Sequence, residues 1–167
     1  MLPEMRWFVA YTKPKSETMA EQNLLRQGYR VQLPLVRKVV RRKVSLEPLF
    51  PRYLFFAPSS DQQSVSPVRS TMGVTSIVRF GIDMAVLSDQ QCRAIMAYAQ
   101  AQQVGGVGSI LDVQGIRPGQ KVLVNSGAFA GLGGLVSMVA KDRVMVLMSL
   151  FGKEQTLGFG PTEISAA

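Results

Sequence analysis

The sequence predicts an α+β protein: an N-terminal α/β sandwich on a mainly antiparallel sheet, a flexible linker, and a small C-terminal β-barrel. Three observations carry that prediction. Strand-like and helix-like runs alternate as β-α-β-β-α-β-α over residues 1–99. Residues 100–116, QAQQVGGVGSILDVQGI, hold four glycines and few charges, as an interdomain joint does. Residues 117–167 are short valine-rich runs split by glycine clusters and by Lys141-Asp142, the pattern of a barrel of about 50 residues.

Each element has its own justification. RWFVAY (6–11) alternates as a strand, with Trp7, Val9 and Tyr11 on one face. KPKSETMAEQNLLRQGY reads as a helix with Ser16 as N-cap, Glu17 in the first turn and Gly28 as the stop. RVQLPLV is a second strand, and RKVVRRKVSLE, too charged for a core, is a protruding hairpin or loop between strands. EPLFPRYLFF (47–56) is the third strand, with Leu49, Pro51, Tyr53 and Phe55 on one face and Phe50, Arg52, Leu54 and Phe56 on the other. Both faces are apolar, and a sheet with helices on one side needs only one, so the Tyr53 and Phe55 face is surplus and fits a protein-binding patch. SDQQSVSPVRST is a short helix weakened by Pro67, GVTSIVRF a fourth strand, and LSDQQCRAIMAYAQAQ a helix capped by Ser88. Residues 135–150 contain neither Gly nor Pro and also fit helical spacing, so a C-terminal helical hairpin is the alternative; their valines favour strands.

Composition narrows the chemistry. The chain has 167 residues, net charge +8, no histidine and a single cysteine, Cys92. That rules out histidine-based triads, an internal disulfide and a cysteine zinc site. Isolated carboxylates such as Glu47, Asp61 and Asp83 make no acid/base pair, so an enzyme is not expected, nor are a metal or cofactor. No run is long and apolar enough to span a membrane, and the start lacks a signal peptide, so a cytoplasmic location is expected; the chain is expected to be a monomer. Residues 1–100 hold 14 Lys and Arg against 7 Asp and Glu, whereas residues 101–167 hold 5 against 4. The basic half therefore favours a polyanion.

RKVVRRK (37–43) supplies Arg37, Lys38, Arg41, Arg42 and Lys43, a finger able to track a phosphate backbone. Lys13 and Lys15 precede the first helix, where backbone N–H groups also favour phosphate. GAFAGLGG (127–134) and GGVGS (105–109) lack the Gly-Lys-Ser/Thr ending of a phosphate loop, and the glycines of the former suit turns at a barrel corner.

WFVAYTKPKSE, LFPRYLF, RSTMGVTSIVRFG, GQKVLVNSGAFAGLGG and KDRVMVLMSLFGK, in that order, resemble the NusG family of transcription elongation factors over essentially the whole chain. EPLFPRYLFF and GVTSIVRFG are most similar to the RfaH-like branch. The resemblance implies a factor that binds RNA polymerase, suppresses pausing and termination, and catalyses nothing. It places Tyr11, Tyr53, Phe55 and Phe80 against the β′ clamp helices, lets the same domain reach toward the β subunit, and puts Lys13 and Thr71 at upstream or non-template DNA. The second domain resembles a KOW barrel with its turn at Gly127, Phe129, Gly131 and Gly134, which would recruit a small-subunit ribosomal protein or Rho. Ser64-Val65-Ser66 stands where the RfaH-like branch has His-Thr-Thr, and Met19, Asn23 and Met72 depart from its DNA-reading surface. The alternative function is an RNA-binding or ribosome-associated protein.

Overall fold

The structure, a computed structural model, describes residues 5–103, 116–139, 143–150 and 153–167. The chain divides into two compact units, residues 1–105 and 106–167. The GGVGS stretch, most of the expected linker and the Lys141-Asp142 turn lie outside the described residues.

The first unit is built on strands β1 (Arg6–Thr12), β2 (Arg30–Gln32), β5 (Tyr53–Ala57) and β6 (Val74–Ile77), arranged β2-β5-β1-β6, with β9 (Val86–Ser88) also paired to β1. All pairings are antiparallel. Register sets Phe8 opposite Phe56, Ala10 opposite Leu54 and Tyr11 opposite Tyr53. Helix α1 (Glu17–Arg26) buries Ala20 and Leu24 against Ala10, Leu54, Phe56, Val68 and Val74. Burying one large apolar side chain such as Leu24 contributes about 1.5–3 kcal/mol, so this face makes one half of the core, and Trp7, Val9 and Phe55 are buried on the other. Helix α2 (Asp89–Gln103) starts on the other face, where the Trp7 indole N–H donates to Asp89 at 3.0 Å. Its buried residues Cys92, Ile95 and Ala99 recur at helical spacing. The expectation of helices on a single face is thus corrected: the two helices flank the sheet.

Proline divides two of the expected strands. RVQLPLV breaks at Leu33-Pro34, because proline donates no ladder hydrogen bond, and continues as β3 (Leu35–Val40). β3 pairs with β4 (Lys43–Pro48) in a separate two-stranded hairpin. EPLFPRYLFF is not one strand either: its first residues finish β4, a turn follows, and β5 begins at Tyr53. The Tyr53 N–H closes that turn on the Phe50 carbonyl at 3.0 Å, with Pro51 second and Arg52 third at φ 74°. Proline followed by a positive φ is the pattern of a type II turn. The reversal carries Phe50 to the Phe55 side, where the rings meet edge-on at 6.4 Å. Alternation across the whole stretch had placed them on opposite faces.

GVTSIVRF likewise divides, into β6 and β7 (Arg79–Phe80), which pairs with β8 (Asp83–Met84) around Gly81-Ile82. The segment expected as a short helix keeps one 3-10 turn, Ser66–Ser70, with Pro67 at its start. Both cap predictions can be read in the side chains. Ser88 caps α2 reciprocally: its Oγ accepts the Gln91 N–H at 3.1 Å, while its own N–H donates to Gln91 Oε1 at 2.9 Å. Ser16 precedes α1, but its hydroxyl donates to the Pro14 carbonyl instead of capping the helix.

The second unit is a five-stranded antiparallel sheet ordered β13-β12-β11-β10-β14, from β10 (Lys121–Val124), β11 (Gly133–Val139), β12 (Val144–Leu150), β13 (Lys153–Phe159) and β14 (Ile164–Ala166). Residues 135–139 and 144–150 are strands, so here the valines decided against a helical hairpin. Val122, Val136, Val144, Val146, Met148, Leu157 and Phe159 form the buried side. Gly134 is required by close packing: a Cβ there would lie 2.5 Å from Val146 Cγ1 and 2.7 Å from the Leu147 carbonyl.

Candidate functional site

Three surfaces emerge, two in the first unit and one in the second. The first lies at the C-terminal end of β1. Tyr11 and Tyr53, opposite each other in register, approach to 5.2 Å between ring centroids at 46°. The Arg52 guanidinium carbon sits 4.2 Å above the Tyr11 ring, its Nε donates to the Thr12 carbonyl at 3.0 Å, and the Thr12 N–H returns a bond to the Arg52 carbonyl at 2.8 Å. A cation desolvated over an aromatic face gains about 0.5–2 kcal/mol. Beyond Ile77, the Val78 N–H bonds the Val9 carbonyl at 2.8 Å, and the chain runs on into the small hairpin carrying Phe80, 58% exposed, and Ile82, 90% exposed.

The four aromatic residues singled out in the sequence thus differ in accessibility. Tyr11 is half-buried and Phe80 projects, but Tyr53 is 3% exposed and Phe55 fully buried. The apolar face of β5 is not surplus surface in this chain, since all five of its residues are buried. Tyr53 and Phe55 can touch a partner only if they are first uncovered.

The second surface is the β3–β4 hairpin. Val40 pairs with Lys43 across a two-residue turn in which Arg41 and Arg42 both take positive φ, 51° and 65°. Two left-handed residues make a type I′ turn, normally Asn-Gly. The alternation of the ladder puts Lys38, Val40, Lys43 and Ser45 on one face and Arg37, Val39, Val44 and Leu46 on the other. Every one of these side chains is exposed. The finger expected from RKVVRRK is therefore an ordered two-stranded ribbon, cationic at its tip, with valine and leucine along one side.

Lys13 and Lys15 are exposed ahead of α1, Lys15 at φ 56°. Thr71 is different. It is buried, its hydroxyl donates to the Pro67 carbonyl at 3.1 Å and accepts from Gln27 Nε2 at 2.8 Å. That hydroxyl ties α1 to the 3-10 turn, so as a DNA contact it would have to give up both partners. Nearby, Asn23 Nδ2 donates to the Met72 carbonyl at 3.1 Å, while the Met72 side chain projects into solvent.

The third surface is the outer side of β10 and β11, where Leu123, Leu132, Leu135 and Met138 are exposed. The residues of the expected KOW turn lie beside it. Gly127 and Gly131 adopt φ of 81° and 87°, and Phe129 is buried edge-on against Phe159 at 6.1 Å. Among the described residues, no three His, Cys, Asp or Glu side chains gather as a metal ion requires, and no helix is long and apolar enough to cross a membrane.

The family model described as transcription termination factor nusG matches residues 5–96. The chain belongs to the NusG family. Among curated NusG relatives, the transcription termination/antitermination protein NusG of Chlamydia trachomatis is 30% identical over 108 residues, 64% of this chain and 57% of that protein. The alignment thus spans little more than half of that relative. The NusG of Streptococcus pyogenes is 26% identical over 166 residues, 89% of this chain and 88% of its own. A solved structure of Thermotoga maritima NusG superposes with a TM-score of 0.66 at 20% identity, covering 98% of this chain and 97% of that one, which shows a shared fold.

Sequence reasoning missed Arg52 and Ile82. The signal for Arg52 was Pro51 before it: proline in the second position of a turn demands a positive φ at the third in type II geometry. Ile82 follows Gly81 between Phe80 and Asp83, and a two-residue hairpin turn could have been read there.

Proposed function

We propose that this chain is a non-enzymatic transcription elongation and antitermination factor. Its first unit docks on RNA polymerase through the surface around Tyr11 and Phe80, with Tyr53 and Phe55 beneath, against the β′ clamp helices and toward the β subunit. The observation that carries this reading is the family match over residues 5–96, the stretch that builds both the aromatic end of β1 and the cationic ribbon. Lys13, Lys15, Arg37, Lys38, Arg41, Arg42 and Lys43 steady upstream or non-template DNA through phosphates, without reading bases. The exposed leucines and Met138 of the second unit offer an apolar patch for a recruited protein, a small-subunit ribosomal protein or Rho. Similarity to the RfaH-like branch supports operon-selective action.

The test is direct binding of the full chain to core RNA polymerase. Because Phe80 is exposed, Phe80→Ala leaves stability within about 0.5 kcal/mol of wild type and weakens binding by about 1–3 kcal/mol, as for an aromatic anchor. Tyr53→Ala and Phe55→Ala are poorer probes, since removing a buried aromatic also costs about 3–5 kcal/mol of folding stability. The cationic ribbon also favours a second reading, an RNA-binding protein. Tight binding to single-stranded RNA with no affinity for polymerase would replace the first reading by that one.

A further inference from the structure

We infer that Arg52 is a positioning residue of the docking surface: it holds Tyr11 over Tyr53 and offers a cation at the rim, so the partner segment that lands there carries a carboxylate. This rests on the reading of that surface given above. The backbone points to it first. Arg52 stands at φ 74°, in the third position of the Phe50–Tyr53 turn, where glycine or asparagine would fit without steric cost. An arginine kept in a left-handed turn is a strained residue whose side chain has a use.

The side chain shows that use. The stack on Tyr11 at 4.2 Å and the Nε bond to the Thr12 carbonyl fix the guanidinium from two directions. The Tyr11 ring thereby meets both Arg52 and Tyr53, the latter 5.2 Å away, at the last paired positions of β1 and β5. Only Nε of the five N–H donors has a described partner. Among the described residues the ion pair joins Arg93 and Asp89, and no carboxylate engages Arg52. A half-buried guanidinium with its two terminal nitrogens unused fits a carboxylate in bidentate fashion. Lysine cannot make that fork.

The experiment titrates the full chain, fluorescently labelled, with core RNA polymerase, for wild type, Arg52→Gly, Arg52→Lys and Tyr11→Ala, and records a thermal midpoint for each. Arg52→Gly is expected to be at least as thermostable as wild type, since glycine suits the turn, yet to bind about tenfold more weakly. Arg52→Lys keeps the charge without the fork and should fall between the two. Raising salt should narrow the gap between wild type and Arg52→Gly, because the lost contact is ionic. If Tyr11→Ala weakens binding while Arg52→Gly does not, this inference fails and the docking surface stands. If neither variant changes binding, both fail. Arg52→Gly that loses thermostability along with affinity would show a structural role and overturn the inference.

Discussion

Among the described residues, the non-glycines with positive φ are Lys15, Arg41, Arg42 and Arg52, and all four are basic. A left-handed L-residue costs roughly 1–2 kcal/mol, and chance would favour Asn or Asp at such places. The pairing of strain with charge is what the proposed phosphate and carboxylate contacts would account for. Replacing Arg41-Arg42 by Asn-Gly should therefore stabilise the hairpin by about 1 kcal/mol or more while weakening DNA binding. The slope of log affinity against log salt should become shallower by about 2 for duplex DNA. Denaturant unfolding and a salt titration check the two halves, and an unchanged slope would remove the tip from the interface. Cys92 makes the opposite case, a reactive residue type that is buried. Burial, and then the neighbouring Asp89 charge, push its thiol up to about 12. The folded state therefore holds the proton more tightly than the unfolded chain, whose thiol titrates near about 8.5. Stability is undiminished below that value and declines as pH rises toward 12. Iodoacetamide should accordingly modify Cys92 at pH 8 only through unfolded molecules, and a rate matching a free thiol would contradict the burial.

At the scale of elements, what the sequence revealed and what it hid have one cause, which is local periodicity. β1, α1 and α2 are uninterrupted runs: the two helices kept their buried residues at helical spacing, and β1 stayed one unbroken strand, apolar and covered on both faces. Two of the hidden boundaries sit at prolines; the third, at Val78 between β6 and β7, does not. Pro34 and Pro51 each lie inside an apolar run whose alternation looks continuous, yet neither can donate to a ladder, and so β2–β3 and β4–β5 are separate strands. The same break explains why the face of Tyr53 and Phe55 looked free. The turn at Pro51-Arg52 swings Phe50 against Phe55, and α2 begins beside Trp7, so helices occupy both faces of the sheet. The burial of Thr71 was not legible because a hydroxyl bound to Gln27 and Pro67 leaves no trace in sequence spacing. The C-terminal sheet was legible through its glycines, and Gly134 gives a sharp test. Gly134→Ala forces a methyl against Val146 and the Leu147 carbonyl, and should destabilise the second unit by about 1–3 kcal/mol. A melting curve shows this as an earlier transition of that unit, with polymerase binding by the first unit unaffected.

Across the whole molecule, charge and apolar surface are divided between different jobs. The excess of cations belongs to residues 1–100 and is exposed on the β3–β4 ribbon, beside the ribbon's own Val39, Val40, Val44 and Leu46, and around Lys13 and Lys15, while Phe80 and Ile82 in one unit and Leu123, Leu132, Leu135 and Met138 in the other are exposed apolar groups away from that ribbon. Contacts of these kinds respond differently to salt. Five ribbon cations each neutralising one phosphate give a slope near −4.5, so duplex affinity should fall by roughly 10²–10³ between 50 and 200 mM salt. Docking through Tyr11 and Phe80 buries apolar area, which salt hardly weakens, and adds one ionic contact if Arg52 meets a carboxylate. Polymerase affinity over the same range should therefore drop by less than about tenfold. Parallel titrations of the full chain against duplex DNA and against core polymerase without nucleic acid separate the two. A polymerase affinity that collapses as steeply as the DNA affinity would mean that the cationic ribbon, and not the aromatic end of β1, makes the protein contact, and the docking surface would have to be moved there.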